Sequence, residues 1–96
     1  NCTYGSSKAA LIHFSKVLAS EVGKIGIRVN AVAPGPTETD MIKTVQNVVG
    51  DDHLLERCAM ERCATPQEIA DAIVYLASDY ASFINGQVIR VDGGSK

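Results

Sequence analysis

The chain has 96 residues, 46% of them apolar, and a net charge of −2 with no acidic or basic block. That is room for one small domain, and the charge pattern offers no electrostatic surface for nucleic acid or membrane. No apolar run approaches the roughly 20 residues that a membrane span needs. The sequence opens on Asn1 rather than methionine, which reads as a fragment or processed piece whose targeting segment, if any, would precede it. Cys2, Cys58 and Cys63 are odd in number and lack metal-ligand spacing. Free thiols at ordinary helix or loop positions in a reducing compartment are therefore expected, and no metal site.

The first predicted element is a helix over residues 4 to 22. Ala9, Ala10, Leu11, Phe14, Val17, Leu18 and Val22 recur at helical spacing. The apolar face is wide, and the small residues Ala9, Ala10 and Ala19 permit close approach, so cover on more than one side is expected, by a sheet and by a partner subunit. Gly23 is the expected stop, with His13 and Lys16 on the solvated face. At the helix start, Tyr4 and Lys8 lie one turn apart on one face. A free tyrosine titrates at about 10, and an ammonium nearby favours the phenolate. Such a pair can exchange a proton with a carbinol or carbonyl oxygen. The same spacing also arises where an aromatic ring merely lies over a lysine stem, so the pair alone does not decide.

Gly26 leads into Ile27-Arg28-Val29-Asn30-Ala31-Val32-Ala33, a short β-branched run that is apolar on both alternations. This predicts a strand buried on both faces of a parallel sheet, stopped by Pro34-Gly35-Pro36. Thr37-Glu38-Thr39-Asp40-Met41 follows at the carboxyl end of that strand, where open α/β sheets bind ligands. A Pro-Gly turn exposes backbone donors, and the two threonine hydroxyls beside it suit an uncharged amide better than a phosphate. The competing role is a helix N-cap by Thr37 or Thr39. Residues 40 to 64 read as a mostly helical excursion of the lid type. Thr65-Pro66-Gln67-Glu68 is a capping box opening a helix whose stripe is Ile69, Ala72, Ile73 and Leu76, ending near Ser78. Asn85-Gly86 marks a turn before a last strand, Gln87 to Val91, closed by Asp92-Gly93-Gly94.

Four motifs in this order resemble the short-chain dehydrogenase/reductase family. They are Tyr4-Gly5-Ser6-Ser7-Lys8-Ala9-Ala10, Arg28-Val29-Asn30-Ala31-Val32-Ala33-Pro34-Gly35, Glu38-Thr39-Asp40-Met41, and Ile84-Asn85-Gly86 followed by Val91-Asp92-Gly93-Gly94. The text is most similar to the branch of 3-oxoacyl-acyl-carrier-protein reductases and related alcohol or sugar dehydrogenases.

The resemblance implies an α/β fold: residues 1–96 as the C-terminal part of a single Rossmann-type, doubly wound parallel sheet. The order is helix, strand, helical lid, helix, strand, incomplete as given. It implies a hydride transfer between NAD or NADP and a secondary alcohol or ketone, possibly carried as a 3-oxoacyl thioester. The protein would be cytoplasmic, and homotetrameric at full length. Tyr4 would be the general acid/base, and Lys8 would lower its pKa and hold the nicotinamide ribose. Pro34 and Gly35 would shape the nicotinamide pocket, and Ser7 would be a small residue under the cofactor. The backbone of Thr37 and the hydroxyl of Thr39 would hold the carboxamide. Position 37 is often a bulky aliphatic in similar sequences, so Thr37 is a departure. The family's Gly-rich turn and catalytic serine would precede Asn1. The alternative is a truncated, non-catalytic chain that only packs with full-length relatives. On either reading the 96 residues alone are expected to fold poorly and to bind cofactor weakly.

Overall fold

The computed structural model describes residues 2–38 and 56–95, without the side chains of residues 2–4. The elements in chain order are helix α1 (Cys2–Val22), strand β1 (Ala31–Pro34), helix α2 (Pro66–Ala77) and strand β2 (Val88–Val91). The chain divides into two compact units. One holds Asn1–Val32 with Tyr75–Ile89, and the other holds Ala33–Val74 with Arg90–Lys96.

In the first unit α1 runs through Val22 into a 3-10 turn, Gly23–Ile25. The α-helix ends at Val22, with Gly23 next as the sequence led one to expect, and the 3-10 turn then closes at Gly26, whose φ of 87° is the left-handed conformation that glycine adopts without a Cβ penalty. The Gly26 N–H donates to Gly23 O at 3.0 Å and the Ile27 N–H to Val22 O at 3.2 Å. These paired bonds form a Schellman end, which uses carbonyls that would otherwise lack partners.

The first strand begins later than its composition predicts, at Ala31 rather than Ile27. A backbone bond from the Gly86 N–H to Val29 O at 2.9 Å and several side chains hold the intervening residues. The Val29 N–H donates to Asn85 Oδ1 at 2.9 Å, and Asn85 Nδ2 donates to Ala19 O at 3.1 Å. Asn30 Nδ2 donates to Ile84 O at 2.9 Å, and its Oδ1 accepts from the Gln87 N–H at 3.0 Å. Arg28 reaches the carboxyl end of α2, where Nη1 donates to Leu76 O at 2.7 Å and Nη2 to Ser78 O at 3.1 Å. A cation there satisfies terminal carbonyls and favours the helix dipole.

The two strands form a two-stranded sheet. The Ala31 N–H donates to Gln87 O at 2.9 Å and the Gly35 N–H to Val91 O at 3.0 Å. Both partners advance by four residues in the same sense, so the strands are parallel. Donors toward β2 therefore sit at odd-numbered positions of β1. Pro34, the last residue of β1, falls on the alternate parity. Its nitrogen faces away from β2, so the missing N–H removes no bond to that strand.

In the second unit α2 starts as its capping box predicts. The Glu68 N–H donates to Thr65 Oγ1 at 3.2 Å, and the Thr65 N–H donates to Glu68 Oε1 at 3.0 Å. The expected lid lies mostly outside the described residues. Its described end, residues 56–64, consists of turns and isolated bridges rather than helix. Cys58 pairs with Ser95 and Ala64 with Thr37. Pairing with other chain segments, rather than local periodicity, sets this stretch. Among the described residues Ala19, Cys58 and Ala81 are the buried apolar side chains, whereas Leu11, Phe14 and Val17 on α1 are exposed. The broad apolar face of α1 is thus present, and much of it is uncovered.

Asn85 joins the Val29 N–H and Ala19 O through one side chain. Asn85→Ala is expected to destabilise the complete protein by about 2–4 kcal/mol, because both partners lose their bonds. Asn85→Asp keeps the acceptor for Val29 and should lose less. Denaturant midpoints of the three proteins check the order; equal midpoints would contradict it.

Candidate active site

Tyr4 and Lys8 both lie within α1, four residues apart. The Lys8 side chain is exposed, and that of Tyr4 lies outside the described part. The helix therefore supplies the one-turn spacing that a phenol–ammonium pair requires.

The second predicted cluster follows β1. Pro34 is exposed, while Gly35 and Thr37 are half-buried. Gly35 passes so close to β2 that a Cβ there would lie 2.8 Å from Asp92 Cα and 2.9 Å from Asp92 Cβ. Any side chain would force the two backbones apart. Glycine is required at this step by proximity, not by an unusual torsion angle. Beyond it, the Ala64 N–H donates to Pro36 O at 2.9 Å and the Glu38 N–H to Ala64 O at 2.7 Å. This parallel bridge brackets Thr37 and turns its own N–H to the opposite side. The Thr37 hydroxyl donates to Gly35 O at 3.0 Å. The N–H groups that an N-cap by Thr37 would serve, those of residues 39 and 40, lie outside the described residues. Thr39 lies outside the described residues. Tyr4 and Lys8 belong to the first unit, and Pro34, Gly35 and Thr37 to the second.

A helix bearing the Tyr–Lys pair, then a parallel strand ending in a glycine-dependent turn, can be set against known proteins. A family model described as enoyl-(acyl carrier protein) reductase matches residues 1–96. The 3-oxoacyl-acyl-carrier-protein reductase FabG of Chlamydia trachomatis serovar D is 46% identical over 91 residues, covering 95% of this chain and 36% of that protein. A 3alpha-hydroxysteroid dehydrogenase of Mediterraneibacter gnavus is 42% identical over 95 residues, covering 99% of this chain and 38% of that protein. The crystal structure of a 3-oxoacyl-acyl-carrier-protein reductase from Brucella melitensis superposes with a TM-score of 0.91 at 40% identity. It covers 98% of this chain and 35% of that one. The chain belongs to the short-chain dehydrogenase/reductase family. Its α/β architecture, with parallel strands, is that of the family's Rossmann-type fold. The chain spans little more than a third of the length of the relatives it matches.

Two features of this short-chain dehydrogenase/reductase chain escaped the sequence reading. The Cys58 thiol is buried, 3.3 Å from Asp92 O and 3.6 Å from Arg62 O, so one S–H serves two carbonyls. The adjacent Ala59 N–H donates to Gly94 O at 2.6 Å and the Met60 N–H to Gly93 O at 3.1 Å, which ties down the C-terminal segment. Nothing in the local pattern around Cys58 signals this pairing. The second feature is a two-point ion pair. Arg62 Nη1 meets Glu68 Oε1 at 2.8 Å, and Nη2 meets Oε2 at 2.9 Å. Arg62 could have been anticipated as the cation nearest the capping box. A cavity of about 130 Å³ lies beside this pair, lined by Pro36, Ala64, Arg62, Glu68 and Asp92 among others. It is well short of the roughly 300–1,000 Å³ of small-molecule sites, and neither Gly35 nor Thr37 lines it. It is a packing gap under the cap rather than a cofactor site. Among the described residues no group of His, Cys, Asp and Glu could hold a metal ion, and no helix is long and apolar enough to cross a membrane.

The Arg62 guanidinium, and then the Thr65 N–H, pull the Glu68 carboxyl down to about 2 from an ordinary 4.5. A depressed folded-state value stabilises the fold above pH 4.5, and the contribution fades as pH falls through about 2. Glu68→Gln should therefore lower the thermal midpoint at neutral pH, and the gap to the parent should close between those two values. A gap independent of pH would show that the charge on Glu68 contributes nothing.

Proposed function

We propose that the protein containing this chain is an NAD(P)-dependent oxidoreductase that interconverts a ketone and a secondary alcohol. We further propose that residues 1–96 form the C-terminal part of its single Rossmann-type domain. The reading is carried by the Tyr4/Lys8 pair, one turn apart on α1, within a chain matched over all its residues by the family. The residues of the second cluster fit a nicotinamide coenzyme. Thr37, with its hydroxyl on Gly35 O, stands at the carboxyl end of a parallel strand, next to a turn that only glycine can make. When bound, the coenzyme supplies or accepts the hydride.

The roles of this chain's own groups follow from their chemistry. In the reductive direction the Tyr4 phenol gives its proton to the substrate carbonyl oxygen and is left as a phenolate. The Lys8 ammonium stabilises that anion and hydrogen-bonds the ribose. In the oxidative direction the phenolate takes the proton from the alcohol. Pro34 and Gly35 form the wall of the nicotinamide pocket, with Thr37 and Thr39 on the carboxamide.

The relatives' names, a 3-oxoacyl reductase and a 3-hydroxysteroid dehydrogenase, share an exchange between an oxo and a hydroxyl group. The 3-oxoacyl thioester on an acyl carrier is the substrate we favour, since a relative of that name matches at 46% identity. The buried Cys58 thiol, which is outside any disulfide, supports a reducing compartment, and we place the protein in the cytoplasm.

In the complete protein, Tyr4→Phe should lower turnover by about 100- to 10,000-fold while coenzyme still binds. Lys8→Ala should impair both turnover and coenzyme affinity. Near-normal turnover of Tyr4→Phe would sink the assignment.

We also propose that the complete protein is a homotetramer. Leu11, Phe14 and Val17 stand 63%, 61% and 42% exposed along α1, an apolar stripe that supports burial against another surface. Light scattering at micromolar concentration should report four subunits, and a monomer would contradict the proposal.

A further inference from the structure

Cys58 and Cys63 lie five residues apart in the second unit, and the chain between them turns back on itself. The Glu61 N–H donates to Cys58 O at 3.0 Å, and Glu61 holds a φ of 55°, uncommon for any residue but glycine. The turn returns Arg62 O to 3.6 Å from the Cys58 sulfur. That carbonyl belongs to the peptide bond that Cys63 completes, so the Cys63 Cα stands no more than about 6.5 Å from the sulfur. The backbone on either side is anchored, Cys58 by its bridge to Ser95 and Ala64 by its bridge to Thr37. The two residues differ in access: Cys58 is buried and Cys63 half-buried. In thiol–disulfide exchange such a difference sets the order, with the reachable sulfur reacting first and a neighbouring thiol completing the exchange.

We propose that Cys58 and Cys63 form a reversible redox-modification site, at which a low-molecular-weight disulfide such as oxidised glutathione converts the pair to an intramolecular disulfide. Cys63, as thiolate, attacks one sulfur of the small disulfide, forms a mixed disulfide with it and releases one small thiolate. Cys58 then loses its proton and attacks the Cys63 sulfur, expelling the second small thiolate. Two protein thiols are oxidised, one small disulfide is reduced, and both protons end on the two released thiols. The exchange removes the S–H that Asp92 O and Arg62 O share, so closure of the pair releases a contact that holds this turn to Asp92. A transient disulfide of this kind is compatible with a reducing compartment, where such bonds serve sensing rather than structure. The site is independent of the proposed coenzyme function.

The test treats the complete protein with oxidised glutathione and maps its peptides by mass without reduction. A Cys58–Cys63 cross-link is expected, lighter by two hydrogens than the same residues reduced and lost again on adding dithiothreitol. Cys58→Ser should stop the reaction at a glutathione adduct on Cys63. Cys63→Ser should lose both the cross-link and the adduct, because the buried Cys58 is out of reach of the small disulfide. A lasting glutathione adduct on Cys63 of the parent, or no reaction there at all, would overturn the proposal. So would Cys63 joined to any other cysteine, or modification of Cys58 at the parental rate in Cys63→Ser. Should Cys58→Ser fail to fold, the parent map and Cys63→Ser decide by themselves.

Discussion

The junction between the last turn of α1 and the first ladder bond of β1 depends on two asparagine side chains. Asn85 joins Ala19 O to the Val29 N–H, and Asn30 joins Ile84 O to the Gln87 N–H. A primary amide presents a donor and an acceptor at neighbouring atoms, so it can stand in for a peptide group of a strand. Around the direct bond from the Gly86 N–H to Val29 O at 2.9 Å, such side chains satisfy the neighbouring backbone groups. The ladder then begins at Ala31 with its register already set, and a slip by one residue would exchange the faces of every side chain that follows.

What the register delivers is the placement of Gly35. The strand must run close enough to Asp92 that no Cβ fits, and the N–H of Gly35 must still reach Val91 O. The first demand excludes nineteen residue types; the second excludes a turn that bends away early. Pro34 tolerates its position because its nitrogen points to the side opposite β2. The chain leaves the sheet with Thr37 presented by backbone geometry, and its half-burial follows from the Ala64 bridge rather than from apolar packing. The shape of this turn is thus a consequence of pairing.

Much of this was legible because it is local. The capping box at Thr65 and Glu68, the helical stripe of α2, the turn at Asn85-Gly86 and the Tyr4-to-Lys8 spacing are all read within four residues. The errors share one cause. The α-helix ends before Gly23 as expected, but the 3-10 turn that follows and the left-handed Gly26 that completes its pair of backbone bonds were not anticipated. Composition gave Ile27 to Ala33 as strand, but the paired segment begins only where backbone replaces amide side chains. Residues 56–64 read as part of a mostly helical excursion, yet partners 27 and 37 positions away along the chain hold Ala64 and Cys58 in bridges. Sequence periodicity cannot register a partner at that separation.

The burial pattern follows the same division. Helical spacing shows where an apolar face lies, but not what covers it. Ala19 is buried because Asn85 and Gly86 sit against it, the added Cβ of a residue at Gly86 falling only 3.5 Å from its own. Leu11, Phe14 and Val17 belong to the same helix and remain exposed, since nothing among the described residues reaches their part of it. A small side chain at 19 is therefore a condition of the junction rather than a helix-propensity choice. The larger side chains toward the amino end carry the apolar area that a second surface would use. Those two demands divide α1 along its length, with close packing at its carboxyl end and an open apolar stripe leading to the Tyr4/Lys8 turn.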